Sequence, residues 1–487
     1  MANLLTLAPQ HHAKCPGGRL VKKLRKTIHL ALSVLLITPN LVVAQTAQSP
    51  ITVLTNANVI DATGSPVQEG MAVVITGNTI TSITRGAYRS TGNETRVIDL
   101  DGAYVVPGFW NMHTHLSGLL PHNHAFDGES SGSKVVRAGV NAMEGLRHGF
   151  TALRSTGEED YIDVTWQRAF DNGFFMGPRI FPSGLPVSPT AGHRGDTVNG
   201  DDGVAAVRKA VRSRIQNGAS TIKIFNVEML PDELAAVIET AHSLGVHVTT
   251  HAREPTTLLA VRAGVDSVEH GYGLSDETIK LMAKKGTFFA PTIICNLSDE
   301  YIKEREARLA SLGYSEDKQA ARLRTLIAYA DVRSPEHALF QRQALVKASK
   351  AGVKLLIGSD SMPVGEIGWL EMEQFVLSGV SEMDTLIAAT RNGADLMGLL
   401  DVLGTVEEGK LADLVVLAEN PLDNISNIRT VQMVFKDGIS VDMERPPGTL
   451  RFFDYFDATS LLPGFLGASE SAAGFARKDN PYSSPQQ

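Results

Sequence analysis

Cysteine is almost absent from this 487-residue chain, which carries only Cys15 and Cys295. A disulfide framework is therefore excluded as the basis of the fold, and stability has to come from a buried core. A basic surface is missing as well: 45 Lys and Arg face 53 Asp and Glu, a formal net charge of −8. That balance argues against nucleic acid as a partner. Long hydrophobic runs are also lacking. The longest, Ile28–Ile37, is shorter than the ~20 residues needed to span a bilayer, and Pro39 and Asn40 follow it. Aromatics are modest at 6%, whereas 43% hydrophobic and 20% charged residues suffice for a large core. Barrels of the α/β class reach ~250 residues or more as one domain, so the length alone does not force three domains.

The N-terminus reads as an export signal over residues 1–44. Lys14, Arg19, Lys22, Lys23, Arg25 and Lys26 precede the apolar run, and Val42-Val43-Ala44 offers a cleavage point before Gln45. The other reading is an uncleaved anchor. Removal of the signal takes away six basic and no acidic residues, so the charge becomes 39 − 53 = −14. Cys295 would then stand alone in a chain that is periplasmic or extracellular, with no membrane association after cleavage.

Three regions follow. Residues 50–103 alternate apolar and polar positions between turns, with Gly77-Asn78 as a hairpin tip. Residues 404–445 repeat that style in Leu414-Val-Val-Leu and Val431-Gln-Met-Val-Phe. Together they suggest a small β-sandwich domain built from both chain ends. Between them, 104–397 alternates short apolar strands with amphipathic helices, among them Val135–His148 before Gly149 and Leu234–Leu244 before Gly245. Strands are expected at Tyr104–His115, Thr151–Ser155, Arg179–Ser183, Thr221–Phe225, His247–His251, Ser267–His270, Phe288–Ile293 and Lys354–Asp360. Eight strands with helical crossovers give the count of a (β/α)8 TIM-like barrel, an α/β fold. The connection 294–353 is long and charge-rich and is expected to hold extra helices. The extension 446–487 ends in a Gly/Ser/Ala/Pro-rich stretch whose composition suits disorder.

Chemistry concentrates at the expected strand ends. In Asn111-Met-His113-Thr-His115, positions i and i+2 share a face, so both imidazoles point the same way. At the C-terminal mouth of a barrel, two neutral imidazoles side by side suit zinc or another transition metal. His122-Asn-His124 has the same spacing but follows a Leu-Leu-Pro turn, where a solvated loop is the simpler reading. Thr221-Ile-Lys223-Ile-Phe225 sets a lysine inside an apolar strand, with Ile222 and Ile224 toward the helices and Lys223 toward the interior. A lone buried ammonium is costly. It either pairs with a barrel carboxylate or carries CO2 as a carbamate, an anionic bridge between metals. His251 and His270 each end a strand; either alone could be structural, but both sit where barrels place ligands. Asp360 closes Leu355-Leu-Ile-Gly-Ser-Asp and suits a general base, the alternative being a helix cap.

The order His113-x-His115, Lys223, His251, His270, Asp360 resembles the amidohydrolase superfamily in its binuclear, carbamylated-lysine form. Val105-Val-Pro-Gly-Phe-Trp-Asn-Met-His-Thr-His, Ala263-Gly-Val-Asp-Ser-Val-Glu-His-Gly and Gly404-Thr-Val-Glu-Glu-Gly-Lys-Leu-Ala-Asp-Leu-Val-Val-Leu carry the likeness. It covers about residues 50–445 and is similar to the imidazolonepropionase-related group with its Xaa-Pro dipeptidases and carboxypeptidase-like enzymes. That group usually shows Gly-Gly-His before the fourth strand; here it is Ala191-Gly192-His193, so His193 is carried over only as a substrate contact. The resemblance implies two divalent metal ions, zinc foremost, with His113, His115 and Asp360 on the more buried one and His251 and His270 on the other. Carbamylated Lys223 would bridge them, and Asp360 would move a proton from a metal-bridging hydroxide to the leaving nitrogen. Arg253, two residues past His251, is expected either to bind a substrate carboxylate or to form a surface ion pair.

The expected activity is hydrolysis of an amide bond in a dipeptide such as Xaa-Pro or in an N-acyl amino acid, both small-molecule substrates. A lactonase or cyclic-amide hydrolase would use the same residues, and a non-catalytic metal-binding protein is the reading of another class. Deaminase-type relatives use one metal and lack the bridging lysine. A homo-oligomer is compatible with the sequence, which does not fix the assembly.

Overall fold

The computed structural model describes residues 49–86, 88, 95–118, 130–190, 192, 200–225, 228–295, 335–360 and 364–444. Residues 1–44, expected to be an export signal, together with His122, His124, His193, most of the 294–353 connection and the extension 446–487, lie outside the described residues. Among the described residues, no helix is long and apolar enough to cross a membrane.

Both chain ends contribute to one eight-stranded sheet. Its strands are β1 (Ile51–Val59), β2 (Gln68–Thr76), β3 (Thr79–Arg85), β4 (Thr95–Asp99), β5 (Tyr104–Pro107), β13 (Leu414–Leu417), β14 (Val431–Lys436) and β15 (Ile439–Ser440). The order is β15-β14-β13-β5-β1-β2-β3, with β4 paired to β1. The β2–β3 hairpin closes at Thr76↔Thr79 with Gly77 at φ +61°, as the turn signal at Gly77-Asn78 required. Strand alternation explains how this sheet serves two cores. Val105, Leu414 and Val416 pack with Leu54, Val73 and Ile75 in the core of the sheet, while the neighbouring Val106, Val415 and Leu417 join the large α/β core.

The central region has a TIM-barrel-type α/β fold. Its strands are β6 (Phe109–Thr114), β7 (Phe150–Ser155), β8 (Arg179–Phe181), β9 (Thr221–Phe225), β10 (His247–Arg253), β11 (Ser267–Tyr272) and β12 (Phe288–Ala290). They form two parallel arcs, β6-β7-β8 and β9-β10-β11-β12. Helices separate them: α1 (Ser131–Arg147), α2 (Ile162–Asp171), α3 (Val204–Asn217), α4 (Pro231–Ser243), α5 (Thr256–Ala263) and α6 (Asp276–Lys285), then α7 (Pro335–Lys350) and α8 (Val364–Ser378). Backbone bonds tie the arcs at one seam, where Val187 N–H donates to Lys223 O (2.8 Å) and Phe225 N–H to Val187 O (3.1 Å). At the other seam Leu356 N–H donates to Phe289 O (2.8 Å) and Met112 N–H to Ile357 O (2.7 Å).

Three expected strands come out differently, the briefest case being Phe288–Ile293, which ends at Ala290 and turns at Thr292 (φ +48°) into a 3-10 turn. Tyr104–His115 is not continuous: Gly108 divides it into β5, in the eight-stranded sheet, and β6, in the first parallel arc. A Cβ at Gly108 would lie 2.1 Å from Thr151 Oγ1, so only glycine lets the chain pass β7 that closely. Lys354–Asp360 is extended but forms no regular strand, only a bridge from Leu355 to Phe289. Its end turns because the amides of Ser359 (3.1 Å) and Asp360 (2.9 Å) converge on one acceptor, His113 O, with Asp360 at φ +48°. Successive amides of a regular strand point to opposite sides, so this convergence ends the extended run.

Gly108→Ala should lower the urea midpoint at unchanged m-value, a loss of about 1–3 kcal/mol from overpacking against Thr151. An unchanged midpoint would show that β7 can shift away.

Candidate metal centre

The parallel strands deliver polar side chains at their C-terminal ends into one buried cluster. His113 and His115 leave β6 on the same face, and their Nε2 atoms lie 3.3 and 3.2 Å from the same oxygen of Asp360, Oδ1. One ligand atom from each of the three residues can be chosen so that all lie within 4.8 Å of one another.

Hydrogen bonding on the far side of each ring decides what faces inward. His115 Nδ1 sits 2.9 Å from Gly157 O, which can only accept, so this nitrogen carries the hydrogen. His113 Nδ1 meets Glu269 Oε2 at 2.7 Å in the same way. In the neutral rings both Nε2 atoms are then bare lone pairs, turned toward a carboxylate oxygen. His113 Nε2 is fully buried and makes no hydrogen bond. Lone pairs facing a carboxylate repel one another unless a cation lies between them, and imidazole with carboxylate is a donor set that suits a divalent transition metal. The residues fit such an ion.

The other ligand candidates continue the cluster. The His270 ring lies 4.8 Å from that of His113 and 4.5 Å from that of His251, the latter pair edge-to-face. His270 Nδ1 meets Thr292 Oγ1 at 2.6 Å. Because Thr292 donates its hydroxyl hydrogen to Pro291 O (2.8 Å), its oxygen accepts from His270 and leaves His270 Nε2 bare. Lys223 pairs in register with Thr249 across β9–β10 and is 1% exposed. Its Nζ stands 5.6 Å from the Phe225 ring centroid. Burial pulls the lysine down to about 8, against the opposing pull of Glu269 and Asp360. His270 is itself held well below the usual imidazole value, by burial first and by His251 second. Arg253, exposed at the end of β10, lies over Tyr272 with its Cζ 5.8 Å from the ring centroid.

Two residues at the centre were not picked out by sequence reasoning. Glu269, fully buried, accepts from His113 through one oxygen and from Arg154 (2.6 Å) and Ser267 (2.9 Å) through the other, with Thr249 donating as well. Arg154 also donates to Met112 O (2.6 Å) and Ser267 Oγ (2.8 Å). Burial works to raise Glu269, yet Arg154 above all, with His113 and Lys223, holds it far below the usual range. The signal was an arginine within the apolar stretch Thr-Ala-Leu-Arg154-Ser: a buried guanidinium requires a carboxylate partner.

Arg154→Met strands the Glu269 charge and should cost about 3–5 kcal/mol in urea unfolding, the penalty of breaking a buried pair from one side. Glu269→Gln should weaken metal binding about 10–100-fold in chelator competition, because it removes the anion that orients His113.

Residues 104–441 match the Amidohydrolase family. The chain is 26% identical over 466 residues to ochratoxinase of Aspergillus niger, covering 82% of this chain and 88% of that protein. A crystal structure of a Xaa-Pro dipeptidase with methionine in its active site is similar at TM-score 0.68 and 28% identity, over 80% of this chain and all of that one. A prolidase in complex with N-methylphosphonate-L-proline follows at TM-score 0.65 and 27% identity, over 81% of this chain and 100% of the other. With the family matched over most of its length and hydrolases among its relatives, the chain belongs to the amidohydrolase family and is an enzyme acting on carbon–nitrogen bonds.

Proposed function

We propose that the enzyme hydrolyses an amide bond in a dipeptide of the Xaa-Pro kind or in an N-acyl amino acid, using two divalent metal ions, zinc foremost. The observation that carries this reading is the convergence of His113 Nε2 and His115 Nε2 on one oxygen, Asp360 Oδ1, at 3.3 and 3.2 Å. Relatives named as Xaa-Pro dipeptidase and prolidase support the substrate class. Two metals would acidify a water enough to make it a nucleophile at neutral pH and would polarise the carbonyl under attack.

This chain's own residues then do the following. His113, His115 and Asp360 would hold the more buried ion, and His251 and His270 the other. Lys223 would serve both ions as a carbamate: its depressed pKa leaves a sizeable neutral amine fraction near pH 8, the form that adds CO2 with release of a proton. Asp360 takes the proton from the attacking water and returns it to the leaving nitrogen, so the water's hydroxyl ends on the carbonyl carbon and its protons are conserved. Arg253, steadied on Tyr272, binds the substrate carboxylate, and His193 is a further substrate contact. Export is part of the same proposal, supported by the basic stretch and apolar run within residues 1–44.

Metal content of protein purified without chelator and with bicarbonate should be about two ions per chain. Lys223→Met should hold no more than one and lose activity. Asp360→Asn should lower kcat by about 10²–10⁴-fold on a dipeptide panel. Turnover of lactones with no turnover of any dipeptide or N-acyl amino acid would replace amide hydrolysis by the lactonase reading. Folded protein that takes up no metal would point instead to a non-catalytic chain.

A further inference from the structure

The turn that follows β12 is built differently from the other strand ends. Thr292 adopts φ +48°, and its neighbour in space, His270, φ +64°. Left-handed backbone is costly for a residue with a β-branched side chain, so it persists only where the surroundings over-determine it. Two helices supply that constraint. Glu371, fully buried on α8, accepts the amide of Ile293 with Oε1 (2.9 Å) and the amide of Ile294 with Oε2 (2.8 Å). Gln341, 1% exposed on α7, donates from Nε2 to Pro291 O (2.7 Å). The carbonyl of Pro291 also receives the Thr292 hydroxyl, which is what turns the Thr292 oxygen into the acceptor of His270 Nδ1–H.

We propose that Glu371 and Thr292 are positioning residues for the second metal. Glu371 clamps the 291–294 turn from α8, and the clamped turn presents Thr292 Oγ1 so that His270 is locked in the tautomer whose Nε2 is free to ligate. The relay runs from a helix on the outer layer, through two backbone amides, to a ligand on β11. Glu371 lies 11 residues beyond Asp360 in the sequence and acts only through the turn. A carboxylate is the group suited to the task, since it satisfies two parallel amides with two acceptor oxygens, whereas an amide side chain satisfies one. A threonine is suited to the other end, since its hydroxyl can donate to a carbonyl and accept from an imidazole at once.

This inference rests on the two-metal reading, so the wild-type protein is the first arm of its test. Zinc binding is followed by competition with a chromophoric chelator, and cobalt substitution gives the absorption of each site. If the wild type binds no more than one ion, the two-metal reading itself fails. If it binds two, Thr292→Val should weaken the second ion about 10–100-fold and alter its cobalt spectrum while leaving the first unchanged. Thr292→Ser, which keeps the hydroxyl, should restore the wild-type affinity. Glu371→Gln should weaken the same ion, and the double variant T292V/E371Q should be no weaker than T292V within about two-fold, because both changes break one relay. Losses that multiply in the double variant would overturn the relay. So would a variant that melts at lower temperature yet binds both ions as the wild type does, since that would make the clamp purely structural. Should E371Q fail to fold, Glu371→Asp, which keeps the carboxyl group but withdraws it from the amides, takes its place with the same expected and overturning outcomes.

Discussion

At the centre of the protein a guanidinium and a carboxylate are both sealed from water. Arg154 and Glu269 are nearly or fully buried, 2.6 Å apart, and neither is affordable alone. Their pairing leaves one oxygen of Glu269 for His113 Nδ1, and that single bond sets which nitrogen of His113 faces the site. Arg154 meanwhile reaches back to Met112 O, the residue before His113, so the same cation grips the strand and the anion. The first metal site depends on this arrangement, because a histidine free to flip its ring or exchange its tautomer would lose its aim. A network of this kind also raises the cost of any misfolded register, since shifting β11 by one residue against β10 would turn Glu269 away from Arg154 and leave both charges unpaired.

The other histidines of the cluster are held by the same logic with different partners. His115 uses a backbone carbonyl, Gly157 O, and His270 uses a threonine whose own hydrogen is committed elsewhere. In each case the outer nitrogen is occupied and the inner one is left bare. Left-handed backbone recurs where this happens, at His270, Thr292 and Asp360, all at the mouth and all buried. Strain at these positions is offset by packing and hydrogen bonds from the helices behind them, which is why the outer layer of the fold bears on the chemistry at its centre.

Much of this was legible in the sequence. Period-two alternation in β1, β2 and β14 and the apolar strands expected at Thr221–Phe225 and Ser267–His270 marked elements that formed close to where they were expected. The His-x-His spacing put two imidazoles on one face, and they do share Asp360 Oδ1. What the pattern missed are places where a contact remote in sequence overrules local preference. Gly108 reads as one residue in a long strand, yet the approach of Thr151 splits that strand between two sheets. Leu355–Asp360 reads as a strand, yet two amides drawn to His113 O bend it.

The sequence alone supplied the candidate groups: four histidines and an aspartate at the ends of apolar runs and a lysine within one, with too little cysteine for a disulfide framework and too little positive charge for a nucleic-acid surface. It did so because strand periodicity and burial preference act over a few residues and leave a local trace. Tertiary structure alone decided which nitrogen of His113, His115 and His270 is occupied from behind and which carboxylates stand behind the cluster rather than within it. Those choices depend on hydrogen bonds across 156 residues from His113 to Glu269 and 22 from His270 to Thr292, and on Glu371 gripping a turn 77 and 78 residues before it. Such bonds exist only once the strands have been brought side by side, and no local pattern encodes them.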